Sequence, residues 1–176
     1  MEAQNIIVVD EFDGKFLINN SYRPIAEALV AKYKELKHIH VDSILFIENT
    51  EDRKKKNNKT VYAQVSLMQE KWNDIIYQTT GIHFDFMMEI YKVNISAMSR
   101  AQIIALIYHE LRHIGPGGEI LSHDIEEWIT MVEKLGLDWG TTKASIPNIL
   151  EEGIDWESIQ GPATLFPVET TLKLIK

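Results

Sequence analysis

His109, Glu110 and His113 lie in the run Ile107-Tyr108-His109-Glu110-Leu111-Arg112-His113-Ile114. On a helix, two histidines four residues apart lie about 40° apart in azimuth and one turn apart in height. Imidazoles in that relation can bind one zinc ion at about 2.0–2.1 Å each. Glu110 stands beside the first of them, where its carboxylate can reach a zinc-activated water without itself binding the metal. The chemistry this implies is hydrolysis of a peptide bond. The metal polarises the carbonyl, while Glu110 acts as general base and then passes the proton to the leaving amine.

A catalytic zinc takes a third protein ligand from a separate segment. His123, ten residues after His113 and expected at the start of the next helix, is the first choice. Asp124, Glu127 and Glu119 remain alternatives. Asp124 also suits either of two other roles, as acceptor for the second N–H of a ligand imidazole or as an acid at a helix N-terminus. An oxyanion needs a further donor, for which Tyr62, Tyr91, Tyr108 and Arg112 are chemically able. Spacing alone puts none of them near a metal.

The composition fits such a site. The 176 residues suit one domain, or one domain with a tail, and 45% apolar with 25% charged residues allows an ordinary core. There is no cysteine, which leaves His, Asp and Glu as metal donors and excludes the usual thiolate-bound structural zinc. Lys and Arg number 18 against 26 Asp and Glu, a net charge of −8 that argues against nucleic acid or an anionic membrane as partner. The first residues carry no basic n-region, and no apolar run approaches the roughly 20 residues of a membrane span. A cytoplasmic protein is expected. The basic run Arg53 to Lys56 with Lys59 reads as a solvated loop.

Around the motif the chain reads as an α+β domain. An N-terminal hairpin over residues 1–20 would pair Ile6 to Val9 with Phe16 to Ile18 around Asp13-Gly14. A helix begins near Pro24 and carries Ile25, Ala28, Leu29, Tyr33 and Leu36. Ile44 to Ile47 reads as a buried strand. Val61, Ala63, Val65 and Leu67 alternate as a half-buried strand, and a short helix follows over 69–77. Phe84, Phe86, Met88 and Ile90 form one face of a further strand. Ser99 and Gln102 then make a capping-box pattern ahead of a helix that is apolar nearly all round, as a central buried helix would be. Its apolar face runs on to Ile114, and Gly115-Pro116 stops it. A last helix carries Ile125, Trp128, Ile129, Val132 and Leu135 before Gly136. His38 and His40 read as a helix end and loop, and His83 as a strand cap.

Val61-Tyr62-Ala63, Phe84-Asp85-Phe86, the run Ile107 to Ile114, and His123-Asp124-Ile125-Glu126-Glu127-Trp128 together resemble a known family, the putative phage metallopeptidases of zincin type. The resemblance covers roughly residues 21–139. It implies a small mixed sheet packed on a central metal-binding helix, with His109, His113 and His123 as zinc ligands and Glu110 as base. The turn departs from the metzincin pattern, since Pro116 stands where that pattern has glycine and Glu119 where it has histidine.

The expected organisation is therefore a zincin-like domain over 1–139 and a C-terminal extension over 140–176, packed on the domain or on a partner. The expected function is that of a zinc peptidase acting on a protein or peptide, in a host cytoplasm if phage-encoded. The alternative is a zincin-fold binding or inhibitor protein whose zinc is structural or vestigial and whose partner is a host protein. In the extension, Ile146, Ile149, Leu150, Trp156, Leu165 and Leu172 are apolar anchors. A tail lying across the cleft would instead bring Glu151 or Glu152 toward the metal.

Overall fold

A computed structural model describes residues 14–53, 60–123, 127–141 and 145–156. Among these residues four strands form one mixed sheet: β1 (Phe16–Ile18), β2 (Ile44–Asn49), β3 (Ala63–Leu67) and β4 (Phe86–Tyr91), in the order β1-β2-β4-β3. β2 pairs antiparallel with β1 and parallel with β4, while β3 pairs antiparallel with β4 and forms one edge. All six residues of β2 are buried, as expected of a central strand covered on both faces.

The helices are α1 (Arg23–Lys32), α2 (Glu70–Thr80), the single turn α3 (Lys92–Ile95), α4 (Arg100–Leu111) and α5 (Ile129–Leu135). α1 and α4 cover one face of the sheet. Ile25, Ala26 and Leu29 of α1, with Ile104, Ala105, Ile107, Tyr108 and Leu111 of α4, pack on Ile44, Phe46, Val65, Met88 and Ile90. Each large side chain fully buried there contributes about 1.5–3 kcal/mol. α4 is the central helix its all-round apolarity implies, with nine of its twelve residues buried. Its N-terminus is closed by the capping box: Ser99 Oγ accepts from the Gln102 N–H, and the Gln102 side chain accepts from the Ser99 N–H at 2.8 Å.

Several elements differ from their sequence reading. α4 ends at Leu111, so His113 and Ile114 lie beyond its last helical residue, and Ile114 instead bridges Ile120 across the turn. The last helix begins at Ile129, after an extended Trp128, so His123 lies on a non-helical segment. Phe84 precedes β4 and packs with Leu45 and Ile47 on the opposite sheet face from Phe86, because the alternation holds only within the strand. On α1, Ala26 rather than Ala28 is buried.

β1 is present, paired with β2, whereas its expected hairpin partner over Ile6 to Val9 lies outside the described residues. So do most of the basic run, Leu165 and Leu172. The 145–156 segment packs on α1 and α4. Lys32 Nζ donates to the carbonyls of Ile149, Leu150 and Glu152 at 2.7–2.8 Å, and the Trp156 ring stacks on Tyr108 at 4.7 Å. Among the described residues no helix is long and apolar enough to cross a membrane.

Candidate metal centre

α4 supplies His109 and Glu110 from its last turn, and His113 follows immediately after it. The chain then reverses. The Leu121 N–H donates to the His113 carbonyl at 2.7 Å, and this short ladder carries His123 back across the end of the helix. Each of the three imidazoles offers a ligand atom, and these atoms all lie within 4.8 Å of one another. His109 Nε2 and His123 Nε2 are 2.9 Å apart.

Three imidazole nitrogens are a donor set that can hold a metal ion such as zinc. Two nitrogens on one tetrahedral zinc are roughly 3.3 Å apart, given bond lengths of about 2.0–2.1 Å. The 2.9 Å separation comes within a few tenths of an ångström of that. The ring nitrogens remote from the cluster are also engaged. His113 Nδ1 lies 2.7 Å from the Leu121 carbonyl, and His109 Nδ1 makes a short, off-axis contact of 2.7 Å with Glu127 Oε1. The carbonyl at His113 Nδ1 fixes the proton there and leaves Nε2 to face the other imidazoles, the tautomer a metal requires, while the carboxylate beside His109 Nδ1 attracts a proton to the same side of that ring. Trp128 backs the group. Its Nε1–H donates to the His109 carbonyl at 3.3 Å, and its ring lies 5.2 Å from His113 and 5.4 Å from His123.

Burial pushes the His113 pKa down, outweighing the carbonyl contact that would raise it. That keeps the ring neutral, as a metal ligand must be. Burial would raise the Glu127 pKa, but the neighbouring His109 imidazole and the Trp128 N–H it accepts from prevail and hold it below its ordinary value. Glu110 is buried, with Oε2 accepting from the Val65 N–H at 3.0 Å and Oε1 4.0 Å from His109 Nε2.

The histidines and Glu110 line a cleft of about 820 Å³. One wall is formed by residues 60–65, including the first part of β3, and the other by residues 120–123 and 137–141. The second wall is tied to the N-terminus of α4, because the Gln102 amide donates to the carbonyls of Trp139 and Thr141. At one end the walls meet where Gly140 lies against the Tyr62 ring, so closely that a Cβ there would sit 3.3 Å from it.

The model of the putative phage metallopeptidase family matches residues 14–147. The chain belongs to that family. No curated protein and no solved structure matches it. Membership in a metallopeptidase family implies a metal, and the three-histidine group is where the described residues can hold one.

Of the alternatives raised for the third position, His123 lies with the other two histidines and Glu127 contacts one of them from outside the cluster. Glu119 lies over the turn against Gly115 and Gly117 and does not line the cleft. Asp124 lies outside the described residues. Tyr62 lines the cleft; the other three possible oxyanion donors do not. Tyr108 donates to Glu35, Arg112 stacks over Trp128 and reaches Thr130, and Tyr91 bonds Arg53. Glu151 and Glu152 are exposed away from the cleft, so residues 145–156 do not cover it. His38 bonds the Ile114 carbonyl, and His83 stacks on Tyr77 rather than capping a strand.

Sequence reasoning did not single out Val65, Trp128 or Trp139 for the site. The tryptophans carry a signal in hindsight, as large rings flanking the second histidine segment. Val65 carries none.

Proposed function

We propose that the protein is a zinc-dependent peptidase in which His109, His113 and His123 hold the metal and Glu110 is the general base. The observation that carries this reading is the convergence of three imidazole ligand atoms within 4.8 Å on a cleft that Glu110 also lines. Zinc bound there supplies Lewis acidity, which acidifies water and polarises a peptide carbonyl.

The chain's own groups do the rest. The Leu121 carbonyl holds His113 in the metal-binding tautomer, and the Glu127 carboxylate lies beside His109 Nδ1, where it favours the same one. Glu110 Oε1, on the histidine side of its carboxylate, takes the proton from water and delivers it to the leaving nitrogen. β3 is an edge strand, so the outward main-chain groups that it does not give to Glu110 can pair with an extended peptide lying in the cleft. Tyr62, which lines the cleft, is the side chain best placed to donate to a developing oxyanion.

The test compares zinc-loaded wild type with Glu110→Gln on an unbiased peptide library. Both should carry about one zinc, and turnover should fall by roughly 10²–10⁴-fold in the variant. Equal cleavage by both proteins would sink the assignment. A biological effect that survives Glu110→Gln would favour a binding protein instead.

A further inference from the structure

We propose that the main-chain N–H of Val65 positions Glu110, holding one carboxylate oxygen so that the other faces the histidines; this rests on the peptidase reading. Strand register decides which way each main-chain amide of β3 points. The Tyr62 carbonyl accepts from the Tyr91 N–H at 2.9 Å, and the Met68 N–H donates to the Asp85 carbonyl at 2.8 Å. Even-numbered residues of the β3 segment therefore turn their main-chain groups toward β4. Antiparallel alternation then turns those of Ala63, Val65 and Leu67 toward the open edge.

An outward amide on an edge strand ordinarily meets water or another strand. The Val65 amide meets Glu110 Oε2 instead, at 3.0 Å and out of contact with solvent. Glu110 is only 4% exposed, and a carboxylate so far removed from water is costly unless it accepts hydrogen bonds. A bond from a neutral N–H to an ionised oxygen is among the stronger kinds. A glutamate side chain has three rotatable bonds, and pinning one oxygen removes most of its alternatives. Oε1 is left 4.0 Å from His109 Nε2, on the side where the imidazoles converge. The edge strand thus does more than wall the cleft. It aims the base, as preorganised catalytic groups require.

Replacing Val65 by its α-hydroxy acid analogue turns the amide into an ester. The N–H is lost, while the side chain and the ladder to β4 remain. Zinc content should stay at about one and KM should change by less than about twofold, whereas kcat should fall roughly 10- to 100-fold. In the Glu110→Gln background the ester should have no further effect, since the group it aims is gone. A general loosening of the strand would lower activity in both backgrounds.

A second arm needs no turnover. Amide hydrogen exchange at Val65 should accelerate at least about tenfold in Glu110→Ala, while Gln64 and Ser66, bonded to β4, keep their rates. An unchanged kcat in the ester, an equal loss in both backgrounds, or unmoved exchange at Val65 would overturn the positioning role. Absence of turnover in zinc-loaded wild type would instead overturn the peptidase reading, and the catalytic purpose with it.

Discussion

The two faces of the sheet are built to different standards. On one, α1 and α4 bury a continuous core, and twelve residues of α1, α4 and the strands beneath them are fully buried, Ile25, Leu29, Phe46, Met88, Ile104 and Leu111 among them. On the other, Leu45, Ile47 and Phe84 form a small cluster under α2, a helix with no buried residue. Trp72, Ile75 and Tyr77 of α2 are about half exposed, at 53%, 45% and 46%. The helix is tied down by Ile76, which packs on that cluster, and by Asn73, whose side-chain amide exchanges two 2.9 Å hydrogen bonds with the backbone of Phe84. Every side chain of the candidate centre belongs to the first face or to loops anchored on it. Geometry good to a fraction of an ångström needs neighbours that cannot shift, and α2 could not provide them.

The comparison is broken most severely by removing a ligand. His109→Ala or His123→Ala should take zinc from about one per chain to near none under a competing chelator. Retention of full zinc by His123→Ala would return the third position to the carboxylates. The fold should survive in both variants, because its core lies below the site.

Next comes the face itself. Leu111→Ala removes a fully buried side chain one residue from Glu110 and should cost about 2–5 kcal/mol, lowering the melting temperature by roughly 5–15 °C. Truncation after Trp139 should also lower it, since Ile149 and Trp156 are buried against the same core. Unchanged melting in the truncated protein would show that the 145–156 segment adds nothing to that face.

The sequence made some of this plain and hid the rest, for physical reasons. The capping box, the apolar α4 and the His109–Glu110–His113 spacing are local, and local geometry follows from residue spacing. His123 could be nominated but not placed. Its approach depends on a ladder between Leu121 and His113 that no periodicity announces, and a helix was expected where the chain is extended. The Val65 contact was further out of reach, because it depends on β3 being an edge strand beside α4, and strand order is not written in alternation. Phe84 failed differently. Its spacing from Phe86 fits a strand face, but the strand begins two residues later.

A subtler change acts on the support of the centre. Glu127→Gln keeps an acceptor near His109 Nδ1 but removes the charge, and should weaken zinc binding roughly 10- to 100-fold. The metal-free protein should respond to acid through the same carboxylate. The folded pKa of Glu127 is below its ordinary value of 4.5, so its contribution to stability is present above that value and is lost as pH falls through the folded pKa. Thermal melting across pH 3–6, with and without the substitution, reads this directly (roughly the range in which carboxylates titrate). An identical acid limb in both proteins would detach Glu127 from the centre.

The smallest effect is expected on the poorer face. Trp72 sits in the first turn of α2 with half its surface in water, so Trp72→Ala gives up little burial. Alanine also has a higher helix propensity than tryptophan, which returns a few tenths of a kcal/mol. The two terms nearly cancel, and the net change should lie within about 0.5 kcal/mol, as is usual for substitutions away from a core. Zinc content and peptide cleavage should not move at all, because nothing in the candidate centre touches α2. A loss above roughly 1.5 kcal/mol, the scale of burying a large apolar side chain, would mean that this face is packed as firmly as the other. Lost turnover at unchanged stability would be more telling still. It would require a path from α2 through β4 to β3, and thence to the carboxylate that β3 holds.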